Sequence, residues 1–178
     1  MGTGAKFTGL AVACLMLLSG CFISETPLIG YWRSDTPIAD GVYAHWPVSP
    51  DGEEWESATW QGEIESQRRK YRSPEDGVAH QNLRLYELYT DLYLAQVDRE
   101  DGSAYGIVWL YDEGRVISYH QAECGALSDA LLAENDMVLD PEGFCRVDDL
   151  DQLEQIMRVY LETLGSDIRI DGIYRRVD

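Results

Sequence analysis

Residues 92–111 read LYLAQVDREDGSAYGIVWLY, and this stretch decides the fold. Two runs rich in Leu, Val, Ile and aromatic residues flank the polar sequence DREDG at 98–102. Such residues favour β-strands, and a glycine in a short polar break supplies the positive φ that a tight turn needs. The stretch therefore predicts a β-hairpin whose strands cover 92–98 and 104–111.

The second strand of this hairpin is apolar on both faces. Alternation places Tyr105, Ile107, Trp109 and Tyr111 on one face, with Ala104, Val108 and Leu110 on the other. A central strand buried on both sides explains this pattern. The alternative is a wall of a concave ligand site, in which Tyr105, Trp109 and Tyr111 act together with Trp32.

Strand chemistry extends outward from the hairpin, from residue 29 to about residue 121. Short runs rich in Tyr, Trp, Val and Ile are separated by Gly, Pro and Asp, as strands and turns require. We predict further strands over 41–46, 55–60, 82–89 and 115–120, with a second turn at 112–114 that uses Gly114.

The C-terminal part of the chain predicts two helices and a last hairpin. Apolar residues recur at steps of three and four from Leu150 to Leu164, which predicts an amphipathic helix. Asp148 or Asp149 can cap its first turn, and Gly165 can end it. A shorter helix is predicted over 126–133, and a last hairpin over 168–177, interrupted by Asp171 and Gly172.

These patterns predict a mainly antiparallel β fold, curled or barrel-like, with an amphipathic C-terminal helix packed against it, which is an α+β class. About 150 residues match one ordinary domain with a single core. The predicted domain covers 29–178.

The first twenty residues carry a targeting pattern. They contain one basic residue, Lys6, no acidic residue, and an apolar run over 7–18. This run is shorter than the roughly 20 apolar residues of a transmembrane helix and is typical of a signal peptide. The alternatives are an ordinary secretory cleavage that leaves Cys21 as a thiol, and an uncleaved anchor helix.

The sequence LSGC at 18–21 ends the apolar run and resembles the bacterial lipobox. The resemblance implies that a lipoprotein signal peptidase removes residues 1–20, and that Cys21 carries a diacylglyceryl thioether and an amide-linked acyl chain such as palmitate. Residues 21–28 would then be a lipidated tether. Because Phe22 and not Asp follows the cysteine, the resemblance implies the periplasmic face of a Gram-negative outer membrane. The layout is similar to small uncharacterised proteobacterial outer-membrane lipoproteins.

Cysteine usage agrees with export. Cys14 lies in the predicted signal peptide and Cys21 in the lipobox, so Cys124 and Cys145 remain. In an oxidising compartment this pair predicts a disulfide. The alternative is a zinc site formed by both thiolates and His120, although no spacing supplies a fourth ligand.

Charge excludes one class of partner. The chain has 14 basic and 32 acidic residues, and loss of Lys6 with the signal peptide changes its net charge from −18 to −19. Nucleic acids bind through clustered Lys and Arg, so we predict no nucleic-acid partner. The one basic cluster, at Arg68, Arg69, Lys70 and Arg72, could meet an anion or neutralise nearby Glu63 and Glu65.

Two short motifs resemble lipocalins. Gly30, Tyr31 and Trp32 match the GxW pattern that opens the first strand of that family, and Thr90 with Asp91 resembles its later TD turn. The resemblance implies an eight-stranded barrel that binds a hydrophobic ligand.

We find no catalytic motif around His45, His80 or His120, and we predict no enzyme activity, cofactor or metal. The leading hypothesis is an envelope module that binds a small apolar ligand through Trp32, Tyr105, Trp109 and Tyr111. The alternative is an interaction lipoprotein that binds an envelope protein. A hydrolase that uses two carboxylates is the weakest hypothesis.

Overall fold

The structure is a computed structural model that describes residues 21–74 and 81–178. Within these residues, ten strands form one mixed, open sheet. They are β1 (Phe22–Ser24), β2 (Gly41–Pro47), β3 (Trp60–Gln67), β4 (Lys70–Arg72), β5 (Arg84–Tyr89), β6 (Leu92–Arg99), β7 (Gly102–Tyr111), β8 (Val116–His120), β9 (Cys145–Arg146) and β10 (Gly172–Arg176). The helices are α1 (Asp129–Glu134) and α2 (Leu150–Leu164). This arrangement confirms the predicted curled β sheet with a C-terminal helix.

The hairpin read from residues 92–111 is the centre of the sheet. Strands β6 and β7 pair antiparallel from Leu92 with Trp109 to Arg99 with Gly102. On its other edge β7 pairs with β8 over Ile107–Tyr111 and with β1 over Ser103–Tyr105. Gly102 has φ of 138°, and a Cβ there would lie 2.1 Å from the Ser24 carbonyl oxygen, so both the turn and the approach of β1 require glycine.

The two faces of β7 bury two different cores. On the side that we call the helix face, Phe22, Tyr105 and Ile107 pack with α2 and the cysteine loop. On the opposite face, Tyr43, Tyr93 and Val108 pack where the sheet curls over itself. The all-apolar pattern of β7 therefore reflects a central strand buried on both sides, as the simpler reading predicts.

Helix α2 covers the helix face through one apolar stripe. Its buried residues are Leu150, Leu153, Ile156, Met157 and Tyr160. The Asp149 side chain caps the first turn by accepting a hydrogen bond from the Gln152 amide, and Gly165 ends the helix with φ of 50°. These positions match the sequence prediction.

Several sequence expectations need correction. Gly30 precedes a 3-10 turn at Tyr31–Arg33, so the GxW motif opens no strand, and the sheet does not close into the lipocalin-like barrel. The 168–177 segment is one strand, β10, that inserts between β2 and β8, because both of these neighbours offer a free edge. The strand predicted over 55–60 starts only at Trp60.

The tether expected over residues 21–28 also differs from the structure. Residues Phe22–Ser24 form β1, which pairs with β7 on one edge and with β9 on the other. Phe22 is fully buried and Ile23 is 8% exposed, because both side chains are apolar and fit the two faces of the sheet. The predicted signal peptide, residues 1–20, lies outside the described residues.

Candidate functional site

The most exposed aromatic surface lies at the 3-10 turn Tyr31–Arg33. Trp32 is 86% exposed and Tyr31 is 46% exposed. Their rings meet edge to face with centroids 5.0 Å apart, a favoured geometry for aromatic pairs. We call Tyr31, Trp32 and Arg33 the aromatic turn.

The aromatic turn is held from behind by buried polar groups. The Ile29 amide donates to Gln96 Oε1 at 2.7 Å, and the Leu28 amide donates to the Tyr105 hydroxyl at 3.2 Å. Gln96 and Tyr105 are both buried on the helix face. The segment that leads into the turn is therefore fixed to the centre of the sheet.

It is also held from the side. The Arg33 amide and the Ser34 hydroxyl both donate to the Gly30 carbonyl, at 3.1 and 2.8 Å. Arg69 donates to the Ser34 carbonyl at 3.0 Å, and its guanidinium lies 5.6 Å from the centre of the Tyr31 ring. Part of the predicted basic cluster thus supports the turn instead of facing solvent alone.

A groove of about 370 Å³ lies between the aromatic turn and the start of α2. Its apolar floor includes Leu28 and Leu150, and its acidic side includes Asp149 and Asp151. Arg33 pairs with Asp151 at 3.4 Å across the groove. A second groove, along α2, is lined by Asp151, Glu154, Gln155, Arg158, Val159 and Glu162. The two grooves share Asp151 and make an acidic strip beside the exposed tryptophan.

The four aromatic residues predicted to line one ligand wall lie apart. Trp32 is on the surface, while Tyr105 is 2% exposed with its hydroxyl in the buried polar group described above. Trp109 packs against the core on the helix face, and Tyr111 is 52% exposed at the end of β7. Only Trp32 lines the groove. Tyr105 contributes indirectly, by holding the segment that carries Trp32.

Cys21 is a buried free cysteine beside β1. Its carbonyl accepts a hydrogen bond from the Cys145 amide at 3.2 Å, and it forms an antiparallel bridge with Glu123. Gln121 Nε2 lies 2.7 Å from its sulfur. Burial raises the pKa of the Cys21 thiol, and the Gln121 contact offsets part of that rise.

The structure contains the predicted Cys124–Cys145 disulfide, with Cα atoms 5.9 Å apart. The alternative zinc site loses its ligands, because both sulfurs are bonded to each other and both His120 nitrogens have other partners. Within 21–74 and 81–178, no three His, Cys, Asp or Glu side chains are grouped so that they could hold a metal ion.

His120 is the centre of a buried hydrogen-bond chain. Its Nδ1 lies 3.0 Å from Asp171 Oδ2 and its Nε2 lies 2.8 Å from the Tyr160 hydroxyl, which also accepts from the Glu123 amide. Burial works to raise the pKa of Asp171, but hydrogen bonds from His120, the Gln121 amide and Arg169 lower it overall. His120 is 5% exposed and Tyr160 1% exposed, so the chain braces α2 against the sheet from inside the core.

His45 is buried on the opposite face. Its Nδ1 lies 2.9 Å from Thr59 Oγ1 and its Nε2 lies 3.0 Å from the Tyr119 hydroxyl. Burial lowers the pKa of His45. The third histidine that we considered, His80, lies outside the described residues.

Sequence reasoning named Trp32 but missed its partners. Tyr31 was part of the quoted GYW motif, Arg69 part of the basic cluster and Asp149 a helix cap, and nothing in the sequence joined them. Their proximity depends on how β3, β4 and α2 pack around residues 28–33. The sequence signal at Trp32 was the GYW motif, which predicted a strand where the structure has an exposed turn.

Comparison with protein-family models, with curated protein sequences and with solved structures found no match. In the described part of the chain, none of the helices has the length and apolar character that crossing a membrane requires.

Proposed function

We propose that this protein is an exported lipoprotein, anchored through Cys21 to the periplasmic face of a Gram-negative outer membrane, whose domain docks an envelope protein through the aromatic turn. The observation that carries the docking role is the 86% exposure of Trp32 on a rigid turn beside a groove. The anchor is supported by the LSGC sequence that ends an apolar run, and by a disulfide of the kind found in oxidising compartments.

Trp, Tyr and Arg are the residues that most often dominate the binding energy of protein interfaces. All three meet here, in Trp32, Tyr31 and Arg69. Aromatic side chains held in one geometry lose little conformational entropy on binding. The hydrogen bonds behind and beside the turn therefore favour recognition over a purely structural explanation of an exposed tryptophan.

The charges around the groove define the partner's chemistry. Asp149, Asp151, Glu154 and Glu162 line the two grooves, and the nearby basic side chains of Arg33 and Arg158 already pair with Asp151 and Glu154. A matching partner segment inserts one apolar side chain into the groove and places Lys or Arg residues along α2. Complementary charge of this kind speeds association and sets orientation.

The first test places a photoreactive amino acid at position 32 of the lipidated protein in its native membrane. Position 55 is the matched control, because Trp55 is also exposed, at 53%, and is not among the residues that line the groove. We expect a protein adduct from position 32 that is absent from position 55. The purified partner should then bind the Trp32→Ala variant at least about 30-fold more weakly, the loss of a typical hot spot.

Equal affinity of the partner for wild type, Trp32→Ala and Trp55→Ala would exclude the aromatic turn as its docking site. The anchor is tested separately by the intact mass of the membrane-extracted protein, which should begin at Cys21 and carry acyl chains. In the Cys21→Ser variant that mass gain and the processing should both disappear.

A small apolar ligand is the second candidate, favoured by the volume of the groove. Its roughly 370 Å³ exceeds the lower limit of about 300 Å³ for small-molecule sites, and Leu28 and Leu150 give it an apolar floor. Native mass spectrometry on residues 22–178, exported behind an ordinary secretory signal, should then show excess mass that is lost on denaturation and in Trp32→Ala. Wild-type mass equal to the sequence mass argues for the protein partner.

A further inference from the structure

We infer that the domain sits directly on the membrane with one particular side down: the surface of Val97, Arg99, Ala104, Phe144 and Arg146 around the buried Ile23, which we call the anchor face, lies against phospholipid headgroups, and the aromatic turn points away from them. This inference rests on the proposed lipid anchor at Cys21.

The lipid anchor site is followed directly by the sheet, with no flexible linker between Cys21 and β1. A free tether of seven residues could span roughly 23 Å. Here β1 starts at Phe22, paired with Tyr105 on one side and Cys145 on the other. The Cys21 carbonyl itself accepts a hydrogen bond from the Cys145 amide. A lipid on Cys21 would therefore be attached to the sheet itself, and it would displace the Gln121 contact that helps to bury the sulfur in the unlipidated chain.

The direction in which Cys21 points is set by its place directly before β1. Side chains alternate along a strand. Phe22 points to the helix face, where its ring meets Tyr160 edge to face at 6.1 Å. Cys21 and Ile23 consequently belong to the opposite face. The Cys21 sulfur contacts Gln121. His120, the residue before Gln121, points to Tyr160 on the helix face, so Gln121 and the Cys21 sulfur beside it belong to the opposite face.

The face around Cys21 combines apolar side chains with arginine and an aromatic ring. The strand registers place Val97, Ala104, Ile23 and Arg146 in one row across β6, β7, β1 and β9. Val97, Ala104 and Phe144 are only partly buried, and Arg146 is exposed. The Arg99 guanidinium lies 5.4 Å from the centre of the Phe144 ring. Apolar surface with arginine and an aromatic ring suits the boundary between headgroups and acyl chains.

Arginine offsets part of the acidic charge on this side. The chain has a net charge of −18, so most of its surface is repelled by anionic lipid. On the anchor face, Arg99 is balanced by Asp101 at 3.6 Å and Arg146 by Asp140 at 3.7 Å. The acidic strip along α2 covers the helix face, away from Cys21. The aromatic turn borders that strip and is thereby presented to the aqueous compartment.

The test uses the lipidated protein in vesicles of phosphatidylethanolamine and phosphatidylglycerol. A cysteine that replaces Asp101, in the exposed β6–β7 turn next to Arg99, carries a fluorophore. The control reporter replaces Asp151, which is exposed at the start of α2. Each engineered cysteine is the single free thiol, because lipid occupies Cys21 and Cys124 is bonded to Cys145. Quenching by nitroxide-labelled lipid headgroups is measured for both.

We expect several-fold stronger quenching at position 101 than at position 151. Equal quenching at the two positions, or stronger quenching at position 151, would overturn the orientation. A reporter that replaces Glu100, which is exposed in the same turn, repeats the measurement if the position-101 variant loses its disulfide. Intact mass is recorded first, so that a chain without acyl groups counts against the anchor itself and not against the orientation.

Discussion

The Tyr105 hydroxyl lies 2.6 Å from Ser24 Oγ, which joins two residues 81 positions apart in the chain. The Ser24 hydroxyl donates to the Thr26 carbonyl, so the Tyr105 phenol is the donor in this pair. Tyr105 also accepts from the Leu28 amide. One buried hydroxyl thus connects β7, β1 and the segment that leads to the aromatic turn.

Tyr105→Phe should therefore lower the free energy of unfolding by about 1–3 kcal/mol, because the Leu28 amide loses its acceptor and the Ser24 oxygen loses its donor. Urea denaturation measures the loss. The substitution should also accelerate hydrogen exchange at the Leu28 amide.

The matched control is Tyr111→Phe on the same strand and the same side of it. Tyr111 is 52% exposed, so removal of its hydroxyl should change stability by less than about 0.5 kcal/mol. Equal losses in the two variants would show that Tyr105 acts only through packing.

The centre of the fold was predictable because local signals and tertiary packing agree there. The two runs around DREDG become β6 and β7, and the stripe from Leu150 to Leu164 becomes α2. Strand β3 was placed five residues too early and β4 was missed, because WQGEIESQ and KYR are mostly polar and join the sheet near its edge. Strand β1 was missed because three residues after a lipobox look like a tether.

The candidate site was less predictable, because it depends on contacts between distant residues. Tyr105 was predicted to line a ligand site. The sequence pattern of an aromatic residue on a strand does not distinguish a hydroxyl that binds a ligand from one that forms hydrogen bonds within the protein. Ser24, which satisfies that hydroxyl, is 81 residues away. Trp32 was singled out as part of a strand-opening GxW motif, whereas its exposure follows from the 3-10 turn at Tyr31–Arg33.

His45 should make stability depend on pH in the mildly acidic range. Burial lowers its pKa below the ordinary value of 6.5, so the unfolded chain binds a proton that the folded chain resists. The free energy of unfolding should therefore fall as pH decreases from about 6.5, by at most about 1.4 kcal/mol per pH unit for one group. His45→Gln should remove this slope while it keeps a polar partner for Tyr119.

Urea denaturation at pH values between 7 and 5, roughly the range in which histidine titrates, measures the effect. A slope that is unchanged in His45→Gln would assign the dependence to another group.

Asp171 should make the free energy of unfolding depend on pH in a more acidic range than His45 does. Its pKa is lowered from the ordinary 3.8 in the folded state, chiefly because the hydrogen bonds from His120 and the Gln121 amide outweigh the effect of burial. The carboxylate therefore contributes stability above pH 3.8, and that stability is lost as pH falls through the folded pKa. Asp171→Asn should be less stable than wild type at neutral pH and approach it in acid.

The measurement is the difference in unfolding free energy between wild type and Asp171→Asn at neutral pH and near pH 3, below the ordinary value of 3.8. A difference that stays constant with pH would mean that Asp171 stabilises the fold by geometry alone and not by its charge.

The disulfide should hold β9, and through it β1, in the sheet. Cys124 and Cys145 are 21 residues apart, a loop for which the chain-entropy model gives about 3 kcal/mol. Replacement of both by serine should lower the free energy of unfolding by that order. It should also expose the Val147 amide, which donates to the Ile23 carbonyl at 2.8 Å, to faster hydrogen exchange. The Val48 amide, bonded to the Asp171 carbonyl on the far side of the sheet, is the internal control and should exchange only with global unfolding. If both amides accelerate equally, the disulfide stabilises the whole domain and has no special role beside the lipid anchor.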